Sequence, residues 1–345
     1  MSRPNVPETG PAVRKRALIT GVAGQDGVYL ARHLLTLGYD VVGTVVSVPL
    51  SSAIIDTYLP GVEVIELDIR DSELLGHILD QYRPDEIYNL ASWSSVARSW
   101  SNPRTVTAVN GVAVLEILDA MRAMRDADGY QAKLCQASSS EMFGMVVDLP
   151  LTIRSAHHPR SPYASAKSFA HHTAVNYRES YGIYVSNAVL FNHESPIRPP
   201  QFVTRKITRA AAEMSLGLRD ELRLGNLEIR RDWGAARDYV RALHLMLQQE
   251  KPADYIVATG VSRSLNDFLA IAMDAAGVAD WQSRVISDET LLRPADVSET
   301  RGDAHDTRVA LGWQPELSLE QLIESMVAAD VKRLTSDTEN SLEYL

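Results

Sequence analysis

The chain has 345 residues, 45% hydrophobic and 23% charged, which is typical of a globular protein large enough for two lobes. Its formal net charge of -10 disfavours binding to nucleic acid, and its single cysteine, Cys135, excludes an intramolecular disulfide and a cysteine-rich zinc site. No apolar run is long enough to span a membrane, and residues 1–13 lack the apolar segment of a secretory signal, so we expect a soluble, cytoplasmic protein.

Short apolar segments alternate with helical segments along the first two thirds of the chain. Alternating strands and helices form parallel sheets with helices on both faces. We therefore expect an α/β fold built on a Rossmann-type doubly wound parallel sheet, with ligands at the carboxyl ends of its strands. Strands are predicted at 17–20, 40–46, 62–67, 86–90 and 133–138, and helices at 27–37, 71–82, 105–124 and 161–181.

The alternation loosens after residue 190, where Pro196, Pro199 and Pro200 interrupt it, although 255–258 again resembles a strand. We expect a smaller, discontinuous α/β substrate-binding lobe there. The predicted division is a flexible tail at 1–13, a dinucleotide-binding domain at 14–190 and about 235–262, the substrate-binding lobe at about 191–234 and 263–335, and a polar, disordered tail at 336–345.

Three glycines, Gly21, Gly24 and Gly27, lie between the first predicted strand and the first helix. A phosphate group needs close backbone approach and free N–H groups, which glycines and a helix N-terminus provide. An ordinary turn is the alternative interpretation. The position of the motif, at a strand–helix junction near the start of the chain, favours dinucleotide binding.

The residues after the second and third strands are expected to contact the adenosine half of the dinucleotide. Asp68, after the third strand, can accept a hydrogen bond from an adenine amino group or cap the next helix, although Asp71 suits the cap better. The second strand ends in Val46 and Ser47, so it offers neither the carboxylate that binds the ribose of NAD nor the arginine that favours NADP. Arg70 could supply a positive charge nearby.

Tyr163 and Lys167 are four residues apart in a helix that Ser161 and Pro162 begin, so they share one face. A phenol is a poor base at neutral pH, but a neighbouring ammonium lowers the pKa of the phenol. The pair can therefore take a proton from a sugar hydroxyl as hydride leaves the same carbon. An exposed pair on a helix surface is the alternative.

Ser139 and Glu141 follow the fifth strand, whose carboxyl end is expected at the ligand site. A hydroxyl at Ser139 can bind the reacting sugar oxygen or the phenol. Elimination of water needs a second acid/base group, and the Glu141 carboxylate can remove a carbon-bound proton beside a carbonyl. The alternative interpretation is a solvated glutamate in a polar loop.

With these motifs in place, the chain closely resembles the GDP-mannose 4,6-dehydratases of the extended short-chain dehydrogenase/reductase superfamily, from about residue 16 to 334. The strings at 192–196 and 202–206 are much more specific than the Tyr–Lys spacing that the superfamily shares. The other matching segments are 19–21, 24–27, 88–91, 136–138, 140–144, 159–163, 175–180, 190–191, 231–234 and 293–297.

The resemblance implies a role for each matching residue. The implied catalytic residues are Ser139, which replaces the family's threonine, Glu141, Tyr163 and Lys167. The implied cofactor-binding residues are Gly21, Gly24, Gln25, Asp26, Gly27, Asp68, Ile69, Leu90, Ala91, Tyr163 and Lys167. The implied residues for the GDP part of the substrate are Asn192, Lys206, Arg231, Arg293 and Asp296, the last in place of a glutamate.

One departure concerns the loop after the second strand, where the family carries two arginines that serve the NADP 2′-phosphate and help to assemble tetramers. Here the loop reads Val46 to Ser52 without an arginine. The resemblance favours NADP, with NAD as the alternative, and a homodimer or homotetramer. His193 is expected to be structural, and no metal-ligand spacing surrounds it.

The implied reaction is dehydration of GDP-mannose to GDP-4-keto-6-deoxymannose, by transient oxidation at C4, elimination of water across C5–C6 and return of hydride to C6. The alternatives are a sibling nucleotide-sugar dehydratase, epimerase or decarboxylase, for example one acting on a GDP-heptose, or a non-catalytic NAD(P)-binding sensor. The complete set of four catalytic residues disfavours a sensor.

Overall fold

The computed structural model describes residues 14–145, 148–291 and 296–345. Its main element is a seven-stranded, wholly parallel sheet with the strand order β10-β6-β5-β4-β1-β2-β3. The predicted doubly wound fold is confirmed, and the predicted strand ends differ by one residue or so. The strands are β1 Arg16–Thr20, β2 Asp40–Val45, β3 Glu63–Glu66, β4 Glu86–Asn89, β5 Lys133–Ser139, β6 Val185–Leu190, β7 Asn192–Glu194, β8 Leu222–Leu224, β9 Arg230–Ala235, β10 Asp254–Val257, β11 Ser262–Ser264 and β12 Val285–Ser287.

Helices cover both faces of this sheet, because successive strand residues point to opposite sides. Leu18 packs into a core with α3, α6 and α7, whereas Ile19 packs into a core with α1 and α9. The helices are α1 Gln25–Thr36, α2 Val48–Tyr58, α3 Ser72–Tyr82, α4 Val96–Ser99, α5 Pro103–Thr107, α6 Ala113–Asp128, α7 Pro162–Tyr181, α8 Val203–Ser215, α9 Ala236–Leu247, α10 Leu265–Ala275, α11 His305–Leu311 and α12 Leu319–Ser336.

Two of these helical regions differ from the sequence-based expectation. The single long helix expected at 105–124 is instead three consecutive segments: α5, a π-helical stretch at Ala108–Val112, and α6. In the π-helical stretch, the side chain of Asn110 binds the backbone of Trp93 through both its oxygen, at 2.8 Å, and its nitrogen, at 3.1 Å. The segment after β2, expected to be a loop, forms α2.

The second group of elements has its own core. A three-stranded sheet, β11-β9-β7, and the pair β12-β8 pack with α8, α10 and α12 around apolar side chains such as Ile207, Leu269 and Met326. A buried ion pair between Arg205 and Asp330, at 2.6 Å, joins α8 to α12. The elements come from two separated stretches of the chain, because β10 returns to the main sheet between them.

The C-terminal residues are packed, so the expectation of a disordered tail at 336–345 is wrong. The chain turns at Asp337 and forms a short 3-10 helix at Leu342–Tyr344. The Tyr344 side chain is buried under the Arg333 guanidinium, which lies 4.1 Å from its ring centroid. The Ser341 N–H donates to the hydroxyl of the buried Tyr58 at 3.1 Å, so this segment links α12 to α2.

Candidate active site

A cavity of about 540 Å³ lies at the carboxyl ends of the sheet strands. The loops after β1, β3, β4 and β5 and the strands β7 and β9 contribute to its lining. Fifteen of the residues singled out in the sequence line it together: Gly21, Gly24, Gln25, Asp26, Gly27, Asp68, Ile69, Leu90, Ala91, Ser139, Glu141, Tyr163, Lys167, Asn192 and Arg231.

The glycine-rich turn forms a cradle that larger residues would fill. Gly21 has φ of +70°, and a Cβ there would approach Ala91 Cα to 2.9 Å. A Cβ on Gly27 would come within 2.6 Å of the Val22 backbone, so this glycine lets α1 begin directly against β1. Gly24 is the N-cap of α1, whose first N–H groups are available to an anion. This geometry fits the diphosphate of a dinucleotide.

Gln25 and Asp26 bond to the second group of elements as well as lining the cavity. The Gln25 amide nitrogen donates to the His193 carbonyl at 3.1 Å, and the Ser195 hydroxyl donates to the Gln25 amide oxygen at 2.8 Å. His193 Nε2 lies 2.9 Å from Asp26 Oδ2. Burial is the largest single effect on Asp26 and acts to raise its pKa, but the charge and hydrogen bond of His193, the hydrogen bond of Gln25 and the charge of Arg198 together lower that pKa. Burial likewise acts to lower the pKa of His193, but the charge and hydrogen bond of Asp26 raise it.

A buried chain of polar side chains, which the sequence did not reveal, holds the loop after β4. The Thr20 hydroxyl donates to Asn89 at 2.7 Å and accepts from the backbone N–H groups of Leu90 and Ala91 at 3.1 and 3.0 Å. The Asn89 amide donates to Gln136 at 2.7 Å. The strand ends of β1, β4 and β5 are therefore fixed relative to one another where they line the cavity.

Ser139 ends β5, and a 3-10 turn at Ser140–Met142 carries Glu141 into the lining of the cavity. The Glu141 N–H donates to the Ser139 hydroxyl oxygen at 3.3 Å. This local bond sets the position of Glu141 relative to the serine. The same hydroxyl is hydrogen-bonded to Tyr163.

Tyr163 and Lys167 lie in the first two turns of α7. Ser161 caps the helix by accepting from the Ala164 N–H at 3.1 Å, and Pro162 occupies its first position, as expected. Lys167 Nζ donates to the Ala137 carbonyl at 2.8 Å and lies 5.9 Å from the Tyr163 ring centroid. The two side chains therefore face the end of β5 and not solvent.

Burial decides the acidity of this pair. Burial raises the pKa of Tyr163 to about 12, against the hydrogen bond from Ser139, which lowers it. Burial lowers the pKa of Lys167 to about 8, against the charge of Asp26, which raises it. The expected lowering of the pKa of the phenol by the ammonium does not dominate here.

Asp68 is freed from helix capping, because Asp71 is the N-cap of α3 and accepts from the Leu74 N–H at 3.0 Å. Asp68 lines the cavity and holds Arg70 through both carboxylate oxygens, with Nε at 2.9 and 3.1 Å. That hydrogen-bonded pair lowers the pKa of Asp68. Arg70 is itself outside the lining.

The five residues expected to hold the GDP part are only partly brought together. Asn192 and Arg231 line the cavity, and the buried Arg231 donates to the Val297 carbonyl at 2.7 Å and to Asp296 at 3.1 Å. Lys206 and Asp296 do not line the cavity, and Lys206 Nζ donates to the Arg223 carbonyl at 2.7 Å. Arg293 lies outside the described residues.

Several lining residues were missed by the sequence analysis, among them Trp93, Arg198, Phe202 and Trp233. The Arg198 guanidinium stacks 3.6 Å from the Phe202 ring centroid and pairs with Glu194 at 3.0 Å. No spacing rule points to these side chains. Within the described residues, no group of three or more His, Cys, Asp or Glu side chains is arranged to hold a metal ion.

A parallel sheet with a glycine cradle after β1, and a tyrosine and lysine on α7 facing the same cavity, define the extended short-chain dehydrogenase/reductase class. A solved structure of this class, UDP-glucose 4-epimerase of Thermotoga maritima, has the same fold, with a TM-score of 0.81 at 24% identity over 93% of this chain and 99% of that chain.

The sequence comparisons identify one family within this class. The family model described as GDP-mannose 4,6 dehydratase matches residues 18–326. GDP-mannose 4,6 dehydratase 1 of Arabidopsis thaliana is 43% identical over 328 residues, covering 92% of this chain and 90% of that protein. GDP-mannose 4,6-dehydratase of Vibrio cholerae is 38% identical, covering 94% and 95%. The chain therefore belongs to the GDP-mannose 4,6-dehydratase family, which confirms the resemblance seen in the sequence.

Proposed function

We propose that this protein dehydrates GDP-mannose to GDP-4-keto-6-deoxymannose. Membership of the family over most of the chain supports the reaction. The structural observation that carries it is the presence of Ser139, Glu141, Tyr163 and Lys167 in one cavity with the glycine cradle. A hydride-transfer pair and a separate carboxylate in one site are what oxidation followed by elimination requires.

The first step is oxidation at C4. Tyr163 takes the proton of the C4 hydroxyl, and Ser139, hydrogen-bonded to the phenol, orients the sugar oxygen. Tyr163 accepts this proton in its phenolate form, which the nearby Lys167 ammonium, fixed by the Ala137 carbonyl, favours. The chemistry supplied by the bound nicotinamide dinucleotide is the removal of hydride from C4 and its later return to C6.

The second step is elimination across C5–C6. The C4 carbonyl acidifies the C5 proton, and Glu141 removes it. The C6 hydroxyl then leaves as water with the proton that Glu141 has gained. When hydride returns to C6, a proton from solvent is added at C5, and it balances the proton that Tyr163 took from the C4 hydroxyl and releases. Glu141 lies two residues beyond Ser139, and its backbone N–H donates to the Ser139 hydroxyl, so the two side chains begin close together and are proposed to act on adjacent carbons of one sugar.

The substrate's nucleotide is assigned to the lobe that carries β7 and β9. Asn192 and the buried Arg231 are proposed to bind it directly, since a guanidinium suits a diphosphate. Asp296, bonded to Arg231, is proposed to orient that guanidinium or hold a ribose hydroxyl. Lys206 and Arg293 are proposed to contribute from the edge of the site.

The cofactor is proposed to be a nicotinamide dinucleotide; membership of the family favours NADP, with NAD as the alternative. Gly21, Gly24 and Gly27 would hold its diphosphate, and Gln25 and Asp26 would shape the turn around it. Asp68 and Ile69 would flank the adenine, while Leu90 and Ala91, with Tyr163 and Lys167, would line the nicotinamide half.

A mass measurement tests the function. Incubation of the protein with NADP and GDP-mannose should yield a nucleotide sugar lighter by one water. Tyr163→Phe should reduce turnover by about 10²- to 10⁴-fold. Tyr177→Phe, the same change farther along α7, where the hydroxyl bonds Asp119 of α6, should not. Unchanged mass with an inverted sugar would indicate an epimerase, and loss of carbon dioxide a decarboxylase; either result contradicts the proposal.

We also propose a homodimer or homotetramer in the cytoplasm. Trp100, Val112 and Phe169 are each 42–50% exposed on the α5–α7 side of the sheet, and apolar surface of this kind is typical of protein contacts. Light scattering of the purified chain measures the mass of the assembly. Within the described part of the chain, no helix has the length and apolar character needed to cross a membrane.

A further inference from the structure

The end of β2 is where a dinucleotide site distinguishes the two nicotinamide cofactors, because the adenosine ribose lies there. At this end the cavity is lined by Thr44 and Val45 of β2, by Val46 directly after that strand, and by Leu67, Asp68 and Ile69 after β3. None of these lining residues is a cation. Val46, 73% exposed, is the first residue after β2, the region in which an arginine accommodates the 2′-phosphate of NADP in this type of fold.

A carboxylate already lies at the N-terminus of α2. β2 and β3 pair in parallel, with Val45 opposite Glu66, so the Glu66 side chain lies beside the end of β2. The first N–H of α2, that of Val48, donates to Glu66 Oε1 at 2.7 Å. A helix N-terminus attracts anions, and here the chain's own carboxylate uses it.

Arg70, the cation nearest to the end of β3 in the sequence, is already paired with a carboxylate. Arg70 is bound by both oxygens of Asp68, so its charge is compensated by a carboxylate of the same cavity. Two carboxylates, Asp68 in the lining and Glu66 just outside it, thus stand against the one guanidinium of Arg70, and the three together carry a net negative charge. A phosphate monoester brings roughly two further negative charges at neutral pH, whereas the ribose diol of NAD donates hydrogen bonds to carboxylates.

We infer that this end of the site does not select for the 2′-phosphate, and that the chain binds NAD at least as tightly as NADP, with Glu66 as the residue that determines the preference. The inference rests on the proposed function, because it concerns the cofactor of that same site. It names a specificity that differs from the NADP favoured by the family resemblance.

Binding of the two cofactors in the absence of a sugar tests the inference. The full chain, freed of any nucleotide that purifies with it, is titrated with NAD⁺ and with NADP⁺ by calorimetry. The Kd for NAD⁺ should be equal to or lower than that for NADP⁺. A Kd for NADP⁺ tenfold or more below that for NAD⁺ overturns the inference and leaves the dehydratase function standing; binding of neither cofactor overturns both.

Two variants test the role of Glu66 and one controls for charge. Glu66→Gln should lower the Kd for NADP⁺ by about twofold to fivefold, the range for one exposed charge, and leave or weaken NAD⁺ binding. Val46→Arg should lower the Kd for NADP⁺ further, by an amount that shrinks at high salt. Glu63→Gln removes the same charge at the other end of β3, where Glu63 binds the Tyr82 hydroxyl, and should change neither Kd.

The pattern among these variants is decisive. Equal shifts in Glu66→Gln and Glu63→Gln would show a general effect of net charge and would overturn the assignment of Glu66. No shift in either Glu66→Gln or Val46→Arg would place the 2′-position elsewhere and overturn it as well. Because Glu66 and Val46 are both exposed, the variants are expected to fold, and thermal melting verifies this.

Discussion

Lys167 holds a positive charge in a buried position with one protein hydrogen bond, to the Ala137 carbonyl. Burial of an ammonium costs free energy, which is why the pKa of Lys167 is lowered to about 8. Tyr163 shows the opposite effect of the same burial, with its pKa raised. At neutral pH the cost to stability therefore lies in Lys167, since Tyr163 is a neutral phenol in both the folded and the unfolded state.

Lys167→Met should make the protein more stable and catalytically inert. Because the folded pKa of about 8 lies below the unfolded value of 10.5, the folded state is penalised fully below pH 8, and the penalty vanishes as pH rises towards 10.5. The variant should gain about 2–3 kcal/mol of unfolding free energy at pH 7 and much less at pH 9.5. Urea unfolding at both pH values measures this; a gain that does not depend on pH would contradict it.

Glu141→Gln should separate the two steps of the reaction. The amide keeps the size and polarity of the side chain but cannot accept a carbon-bound proton, whereas Tyr163 and Lys167 are unchanged. The variant should bind GDP-mannose and reduce its cofactor slowly, yet neither release water nor incorporate deuterium at C5 from heavy water. Deuterium incorporation at the parent rate would reassign the base. Glu179→Gln, a change of the same kind near the end of α7, serves as the control.

At the scale of elements, α7 carries the catalytic pair on one part and a cluster of histidines on another. His171 and His172 of α7 contact His157 of the preceding loop, with ring centroids 4.8–5.5 Å apart. His171 also bonds Ser138, the neighbour of Ser139, at 3.1 Å. Burial lowers the pKa of His171 to about 4, although Asp254 raises it. His171 therefore packs as a neutral ring at neutral pH, and burial lowers the pKa of His157 as well.

His171→Asn should reduce the sensitivity of the fold to acid. Since the folded pKa lies below the unfolded value of 6.5, the stability of the parent falls as pH drops from about 6.5 towards 4. Asparagine imitates the Nδ1 position towards Ser138 but does not titrate in this range. The difference in thermal midpoint between pH 7 and pH 5 should be smaller in the variant. His77→Asn, which removes a histidine from α3, should not alter that difference.

The elements that could be predicted from sequence are those whose signals are local. Asp71, Ser161 and Gly182 mark helix ends by their own side chains or backbone freedom, and the apolar runs of the buried strands are evident without partners. The motifs at Gly21 and Tyr163 could be combined because strand order places their loops at one edge of a sheet.

The features that could not be predicted depend on residues distant in sequence. The packing of Tyr344 depends on Arg333 and on the neighbourhood of Tyr58, and polarity alone predicted disorder there. The buried chain from Thr20 to Gln136 is made of ordinary strand residues whose pairing follows only from the register of three strands. The bonds of Gln25 to His193 and Ser195 likewise require the second lobe to be in place.

At the scale of the whole molecule, the C-terminal segment ties the two groups of elements together. Arg333, buried in α12, donates to the Glu339 and Pro196 carbonyls at 2.9 Å each, and Pro196 directly follows Ser195, whose hydroxyl bonds Gln25. Ser341 reaches Tyr58 at the end of α2. The C-terminal segment and α12 therefore contact α2, on the proposed cofactor side of the molecule, and the loop after β7, on the proposed substrate side.

Removal of residues 337–345 should destabilise the fold by about 3 kcal/mol or more, because it exposes the Tyr344 site and leaves Arg333 and Tyr58 without these partners. Tyr344→Ala should account for much of the loss, whereas Leu342→Ser, at a position 49% exposed, should cost little. Chemical unfolding measures all three. A shortened chain as stable as the parent would show that the segment adds nothing to the fold.

The return of β10 to the main sheet also sets an order of events during synthesis. Strands β1 to β6 leave the ribosome first and can pair, but the free edge of β6 stays open until β10 follows it. The apolar face of α8 stays uncovered for longer, because α12, the helix that packs against it, is synthesised last. A nascent chain thus presents an unpaired strand edge and an uncovered helix face, both of which favour aggregation. Yield during expression should therefore depend on temperature and chaperone supply more than the stability of the finished protein does.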